Sequence, residues 1–394
     1  MPISGPWTYV SEVGIHPGKG KGMIKRYAVS HMEETLELLR KLAVIPAPSG
    51  QEQARAEWIR SWLLEKGAEN VFIDQAGNVV WPWGSREGTP YVLVSAHTDI
   101  VFEDRDPLPL TEDEDRIHVP GIGDDTASVV NLMMAAACFL EQGLQPEQPL
   151  LIVFNSGEEG LGNLKGMRQI FRDHRIWEHV AFDHHDMRTL LTIPVGSRRY
   201  RISMDCRGGH SYRDFGRKNA IAEMADLITE LYRVQVPGRH TTYNVGTIQG
   251  GSTVNSIAEH CEILYEFRSQ DKAELEAMQR ELDRILQKHN GEGVQVCAVC
   301  LGDRPCRGEV PEQAMRELTE RVRKILQEQS SQEVICTAGS TDCNIPLSLG
   351  IPAVCCGVYE GGGCHTREEW IRKSSLMTGQ QIALEVLRES GRFC

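Results

Sequence analysis

Five side chains able to bind a metal stand at the ends of apolar runs: His97, Asp124, Glu159, Asp183 and His365. Imidazoles mixed with carboxylates are the donor set a two-metal hydrolase needs. His97 closes Val92-Leu93-Val94-Ser95-Ala96, a run that stops at His97-Thr98-Asp99, where a parallel strand would open onto a ligand crevice. Asp124 lies in the turn Gly121-Ile122-Gly123-Asp124-Asp125-Thr126, directly before a helical run from Ala127 to Leu140. The run Leu150 to Phe154 leads into Asn155-Ser156-Gly157-Glu158-Glu159. A carboxylate pair behind a buried strand is costly unless a cation or proton compensates it, and two divalent ions would do so. Two such carboxylates can divide labour, one ligating a metal and the other acting as general base on a water.

Each signal has a plainer reading when taken alone. An extended His97-Thr98-Asp99 puts both side chains on one face, so Asp99 could accept the second ring N–H of His97, but a chance His-x-Asp in a loop looks the same. Asp125 or Thr126 could cap the next helix, and the plainer reading of the turn is that both aspartates, Asp124 and Asp125, do no more than cap it. Asp183 ends the strand pattern Val180 to Phe182 and is followed by His184-His185-Asp186, any of which could be the ligand. His365 sits in the loop Glu360 to Glu369, and its weight depends on the other four. The acidic stretch Glu103 to Asp115 could attract a free α-amino group or be a solvated loop.

The elements that must position these residues alternate up to about Pro194. Helical patterns run Glu33 to Leu42, Gln51 to Lys66, from Ala127 and from Leu164, and strand patterns run from Tyr91, from Leu150 and over His179 to Phe182. That rhythm predicts an α/β layer with a mainly parallel sheet. After Pro194-Val195-Gly196 the order becomes strand (Arg199 to Cys206), helix (Asn219 to Val234), strands (Asn244 to Gln249, Cys261 to Arg268), helix (Lys272 to His289) and strand (Val294 to Leu301). This is the ferredoxin-like α+β pattern. From about Arg304 the α/β rhythm resumes, with helices at Pro311 to Gln327 and Ser374 to Arg388 and short strands near Val334 and Ala353. The expectation is a main domain built from residues 1–194 and 304–394, interrupted by a smaller one at 195–303.

Composition narrows the class of function. With 394 residues and 41% hydrophobic content the chain suits two globular domains, and no 18-residue apolar stretch could cross a bilayer. Met1 to Lys25 is polar and does not read as a signal peptide, so a cytoplasmic location is expected. A net charge of −13 with no basic stripe argues against nucleic acid as a partner. The 12 cysteines mostly sit singly in apolar runs and read as buried free thiols. Cys297 and Cys300 lie in a strand pattern that sends them to opposite faces, so they read as structural. A dinucleotide-binding oxidoreductase lacks its glycine spacing here. A metal-binding protein without activity remains the non-enzymatic alternative, set against a complete ligand set.

The joint order His97-x-Asp99, Gly123-Asp124-Asp125, Glu158-Glu159-Gly160, Asp183, Gly208-Gly209-His210-Ser211 and His365 resembles the co-catalytic zinc metallopeptidase family of tripeptide aminopeptidase, aminoacylase, acetylornithine deacetylase and carboxypeptidase G. The resemblance covers the chain from about Met32 onward. It implies that Asp124 bridges two divalent ions, zinc with cobalt or manganese as substitutes, with His97 and Asp183 on one ion and Glu159 and His365 on the other. Many relatives have Glu where this chain has Asp183. It further implies a cis peptide between Asp124 and Asp125, and an inserted lid that forms a homodimer and sends His210 into the neighbouring active site. Asn255 and Arg268 match positions that hold the substrate's carboxylate or backbone, a task suited to the guanidinium fork. Glu158 is then the general base, beside Asp99 and His210 as the other catalytic groups. The stretch Gly157 to Gly166 is more similar to the tripeptide aminopeptidase branch than to the deacetylases, so an aminopeptidase on short peptides is expected ahead of an N-acyl amino acid hydrolase.

Overall fold

The computed structural model describes residues 17–393. The start of the stretch Met1 to Lys25 therefore lies outside the described residues. Strands Tyr91–His97, Leu150–Asn155 and Ile176–Phe182 are almost wholly buried, as expected of apolar runs covered on both faces. Leu150–Asn155 and Ile176–Phe182 flank Tyr91–His97 in parallel, and Ala353–Cys356 adds parallel to Ile176–Phe182. The full sheet runs Phe72–Ile73, Val79–Trp83, Leu150–Asn155, Tyr91–His97, Ile176–Phe182, Ala353–Cys356, Thr189–Pro194, Ile335–Gly339. It is mixed: Val79–Trp83 joins antiparallel at one side, and Thr189–Pro194 lies antiparallel to Ala353–Cys356. Thr189–Pro194 has no strand counterpart in the sequence pattern, because its short run of Leu190, Leu191 and Ile193 reads as a linker.

Helix Ser128–Glu141 is buried along nearly its whole length and packs against Ser375–Gly391. A helix apolar all round belongs in a core. No side chain caps it: Asp125 and Thr126 are engaged elsewhere, which corrects the capping alternative. A small antiparallel sheet, Gly361–Gly362, Trp370–Arg372, Arg116–His118 and Thr111–Glu112, holds the loop of His365 beside the turn of Asp124. Its two- and three-residue strands are too short to show periodicity.

Between Gly196 and Arg304 the chain folds as strand, helix, two strands, helix, strand. The sheet order is Thr242–Gly250, His260–Ser269, Gly196–Cys206, Val294–Arg304, with every neighbour antiparallel. Helices Ala220–Leu231 and Lys272–His289 cover it, and Met224, Leu227, Met278 and Leu282 meet Ile202 and Ile263 in a core separate from that of the larger sheet. Asn219 and Asp271 cap the two helices by accepting from Ile221 N–H (3.0 Å) and Ala273 N–H (2.7 Å). Cys297 and Cys300 are exposed on the last strand.

His179 is wholly buried in Ile176–Phe182, with its Nε2 2.8 Å from Ser95 Oγ, and burial pushes its pKa down to about 3 from the ordinary 6.5. Between those values the unfolded chain binds a proton that the native state does not. Stability gained from a neutral His179 is therefore present above about pH 6.5 and lost as pH falls, by about 1.4 kcal/mol per pH unit. Denaturant midpoints of wild type and His179→Gln should converge by about 2 kcal/mol between pH 6.5 and 5. Parallel curves would contradict this.

Candidate metal centre

All the first-named side chains lie at the carboxyl ends of the parallel strands or on loops that reach over them. His97 is the last residue of its strand, Asp183 follows Phe182 directly, and Glu158-Glu159 lie just past Asn155. Asp124 comes from the turn before Ser128–Glu141, and His365 from the loop ahead of Trp370–Arg372. His97 Nε2 is 2.9 Å from Asp124 Oδ1 and 3.8 Å from Asp183 Oδ1. On the other side, His365 Nε2 is 3.1 Å from Asp124 Oδ2 and 3.0 Å from Glu159 Oε1. Asp124 thus presents one oxygen to each imidazole. The donor atoms of His97, Asp124 and Glu159 lie within 4.8 Å of one another, as do those of His97, Glu158 and Asp183.

The electrostatics fit divalent cations. Burial and the Asp124 charge push the Glu159 carboxyl up to about 7, and the same two causes hold Asp183 well above the carboxylate range. Burial opposes ionisation of Asp124, but hydrogen bonds from His365 and His97 outweigh it and keep its pKa low. His97 shows the mirror image: burial disfavours its charge, yet Asp124 and Asp99 raise its pKa. His365 is raised too, by Asp124, Cys364 and Glu159. Without cations the imidazoles must act as the counter-charge for a surplus of carboxylates. Neutral imidazoles and ionised carboxylates around two divalent ions remove that conflict, so the donor set fits the ions the sequence implied.

A second tier of residues fixes the first. Asp99 Oδ1 and Oδ2 each accept a backbone N–H, from Glu158 and Glu159 (both 2.9 Å), and Oδ2 also accepts from Ser49 (2.6 Å). The ring Nδ1 of His97 meets the carbonyl of Asp99 at 3.1 Å and its carboxylate only at 3.5 Å. Asp99 therefore orients His97 mainly through its backbone, because its carboxylate is committed to the glutamate turn. Asp125 accepts the backbone N–H of His97 (3.0 Å), and the Asp124–Asp125 peptide is cis, as the resemblance implied.

Three residues of this tier carry no sequence signal of their own. Glu369 accepts from Gly121, Gly123 and Asp124 N–H at 2.7, 2.9 and 2.8 Å, so one loop both supplies His365 and shapes the Asp124 turn. Arg55, buried, donates to Ile45 and Thr98 carbonyls (2.8 and 3.1 Å) and to Thr126 Oγ1 (3.0 Å), tying its helix to both neighbouring loops. Arg304, the last residue of the inserted sheet, is buried, donates to Glu158 Oε1 (2.9 Å), and also bonds the Glu158 carbonyl and the Ser340 carbonyl. A basic residue at the predicted junction was the one available hint.

The centre opens into a cleft of about 320 Å³ that Arg199, Arg268 and Arg304 also line. Glu266 accepts from both Arg268 (2.9 Å) and Arg199 (3.3 Å). His184 and His185 stack at its side, and Asp186 is taken up by Arg188 at 2.8 Å, which leaves Asp183 as the acid of that segment beside His97. His210 and Asn255 do not line this cleft. They are brought together elsewhere on the inserted unit: His210 pairs with Ser256, and Ser211 N–H donates to the Asn255 carbonyl (3.0 Å). None of the acidic stretch lines the cleft, and Asp104, Glu112 and Asp115 are paired with Arg367, with Arg40 and Lys373, and with Arg372, so the stretch offers the cleft no amine site.

Residues 93–389 match Peptidase family M20/M25/M40. The chain is 31% identical over 140 residues to a LysW-lysine hydrolase of Deinococcus radiodurans, covering 35% of this chain and 36% of that one. It is 26% identical over 242 residues to a peptidase M20 domain-containing protein of Schizosaccharomyces pombe, covering 57% and 58%. The matched stretches thus span less than two thirds of both relatives. A tripeptidase from Staphylococcus aureus superposes with a TM-score of 0.71 at 21% identity, over 92% of this chain and 99% of that one, and so shares the fold.

Arg304 and Glu158 form a buried ion pair, and removing one partner leaves the other uncompensated. Arg304→Met should lower unfolding stability of the metal-free protein by about 3 to 5 kcal/mol, read from denaturant midpoints. A loss below about 1 kcal/mol would mean that water reaches the pair. Metal analysis of His97→Ala and His365→Ala should show at least one ion fewer per chain than wild type. Unchanged stoichiometry would remove both from the ligand set.

Proposed function

The chain belongs to Peptidase family M20/M25/M40, and from that membership we propose that it is a two-metal amidohydrolase that removes N-terminal residues from short peptides. The observation that carries this reading is the cleft itself: an acid and imidazole cluster lined together with Arg199, Arg268 and Arg304 in about 320 Å³. That is the small end of ligand pockets and suits a short substrate. Arg199 and Arg268 share the single carboxylate of Glu266, and their surplus positive charge suits a substrate carboxylate.

Asp124 would hold both ions, with His97 and Asp183 on one and Glu159 and His365 on the other; zinc suits this donor set, and cobalt or manganese can replace it. When bound, the ions supply Lewis-acid polarisation of the scissile carbonyl. Glu158 takes a proton from the attacking water as the C–O bond forms, and returns it to the leaving nitrogen as the C–N bond breaks. Arg304 holds one oxygen of that carboxylate, and Asp99 fixes the backbone that carries it. Arg268 orients the substrate. His210 and Asn255 stand apart from their own cleft, which supports a homodimer through the inserted unit in which each copy offers them to the other's substrate, His210 as donor to the developing oxyanion. Free thiols at all the described cysteines go with a cytoplasmic location.

A second reading is an N-acyl amino acid hydrolase. The acidic stretch does not line the cleft and so gives it no amine-recognition site, and this favours a substrate without a free amino group. Panels of free and N-acetylated di- and tripeptides and N-acyl amino acids separate the two. Free peptides should turn over faster, and preference for blocked amino termini would overturn the aminopeptidase reading while leaving the metal chemistry standing. Glu158→Ala should lose about 10² to 10⁴ in kcat and keep its metal. Mixing inactive His210→Ala with inactive Glu158→Ala chains should restore part of the activity; none, despite subunit exchange, would mean that each site is built from one chain.

A further inference from the structure

Cys364 is the one described thiol that stands among the candidate ligands. Its Sγ lies 3.0 Å from Asp124 Oδ2, the oxygen that also faces His365 Nε2 at 3.1 Å. The donor atoms of Asp124, Cys364 and His365 fall within 4.8 Å of one another. Neighbouring residues in an extended chain point to opposite sides, so Cys364 and His365 would not normally share a target. Here His365 adopts a left-handed backbone, φ 62°, after the run Gly361-Gly362-Gly363. That conformation is uncommon for a non-glycine residue and turns both side chains toward Asp124. Buried thiols such as Cys355 and Cys356 sit in the apolar core, whereas Cys364 lines the cleft.

We propose that Cys364 is a sulfur donor to the ion held by His365, Glu159 and Asp124. The proposal rests on the two-ion reading and deepens it. On coordination the S–H bond breaks, its proton leaves to solvent, and the sulfur lone pair binds the ion. A thiolate is a soft donor, so this half of the centre would favour zinc or cobalt over manganese, while the His97 and Asp183 half, with no sulfur, would discriminate less. The added negative charge would also make that ion a weaker Lewis acid and a tighter-bound one.

The full-length protein, stripped of metal and reloaded with cobalt, tests this. Wild type should bind cobalt and show an intense near-ultraviolet sulfur-to-cobalt charge-transfer band. Cys364→Ala should still bind cobalt but lack that band. Losing an outer partner of a metal ligand already costs about 10- to 100-fold in affinity, so zinc binding in Cys364→Ala should weaken by on the order of tenfold or more at one site, with manganese binding little changed. Cys364→Asp should recover zinc affinity without the band, which separates a lost donor from a disturbed loop. Cobalt bound to wild type with no band, or a band that survives in Cys364→Ala, overturns the sulfur assignment alone. Failure of wild type to bind cobalt or zinc at all overturns the two-ion reading and this proposal with it.

Discussion

The structure is organised around a surplus of buried negative charge. Asp124, Glu158, Glu159 and Asp183 meet at the mouth of the sheet, the two glutamates buried and the two aspartates half-buried. Two unit charges at such distances repel by several kcal/mol even at an effective dielectric near 20. A fold that brings them together must supply compensation, and it does so in graded fashion. Arg304 neutralises Glu158, and backbone N–H groups satisfy Asp99 and Glu369. The oxygens of Asp124, Glu159 and Asp183 are left facing imidazoles that can serve as neutral ligands once cations arrive.

That constraint explains why the loops are tied so heavily. A metal site tolerates little misplacement of its donors, so loops at strand ends need support. Arg55 joins the loops after His97 and around Thr126, and Glu369 clamps the Asp124 turn from a loop some 245 residues further along the chain. The inserted unit takes part as well. Arg304 leaves its last strand to reach Glu158, and Arg199, on the paired strand, bonds the carbonyl of Gly160. The two units therefore meet at the glutamate turn.

The strand-end residues were legible in the sequence for a physical reason: a parallel strand buried on both faces is an uninterrupted apolar run, and its abrupt polar end marks the crevice. The same logic located the helix after Asp124 and the βαββαβ order between Gly196 and Arg304. What stayed hidden depends on contacts between distant segments. Nothing local distinguishes Arg55 or Glu369 from ordinary surface charges, since each is defined by partners on other loops. Thr189–Pro194 was missed because a short strand is recognised by its neighbours in the sheet more than by its own pattern. Asp99 was read from its spacing to His97, and it serves a different partner because two glutamate N–H groups compete better for its carboxylate.

The division of labour between Glu158 and Glu159 is where geometry alone is least decisive, since an oxygen of either lies among the possible donors. Their partners separate them. Glu158 shares an oxygen with the Arg304 guanidinium, which occupies a lone pair and repels a cation approaching from that side. Glu159 faces His365 and Asp124, groups that become more favourable neighbours as positive charge enters. A carboxylate already paired with arginine gains less from a metal than an unpaired one, so on the proposed reading the ions would be drawn to Glu159. Glu158 would then be left close by, outside the ligand set, in the place the proposed general base needs. On the proposed two-ion reading, the arginine that reaches across from the inserted sheet would thus do more than balance charge, because it would bias which of two adjacent and chemically identical side chains is left for the metal.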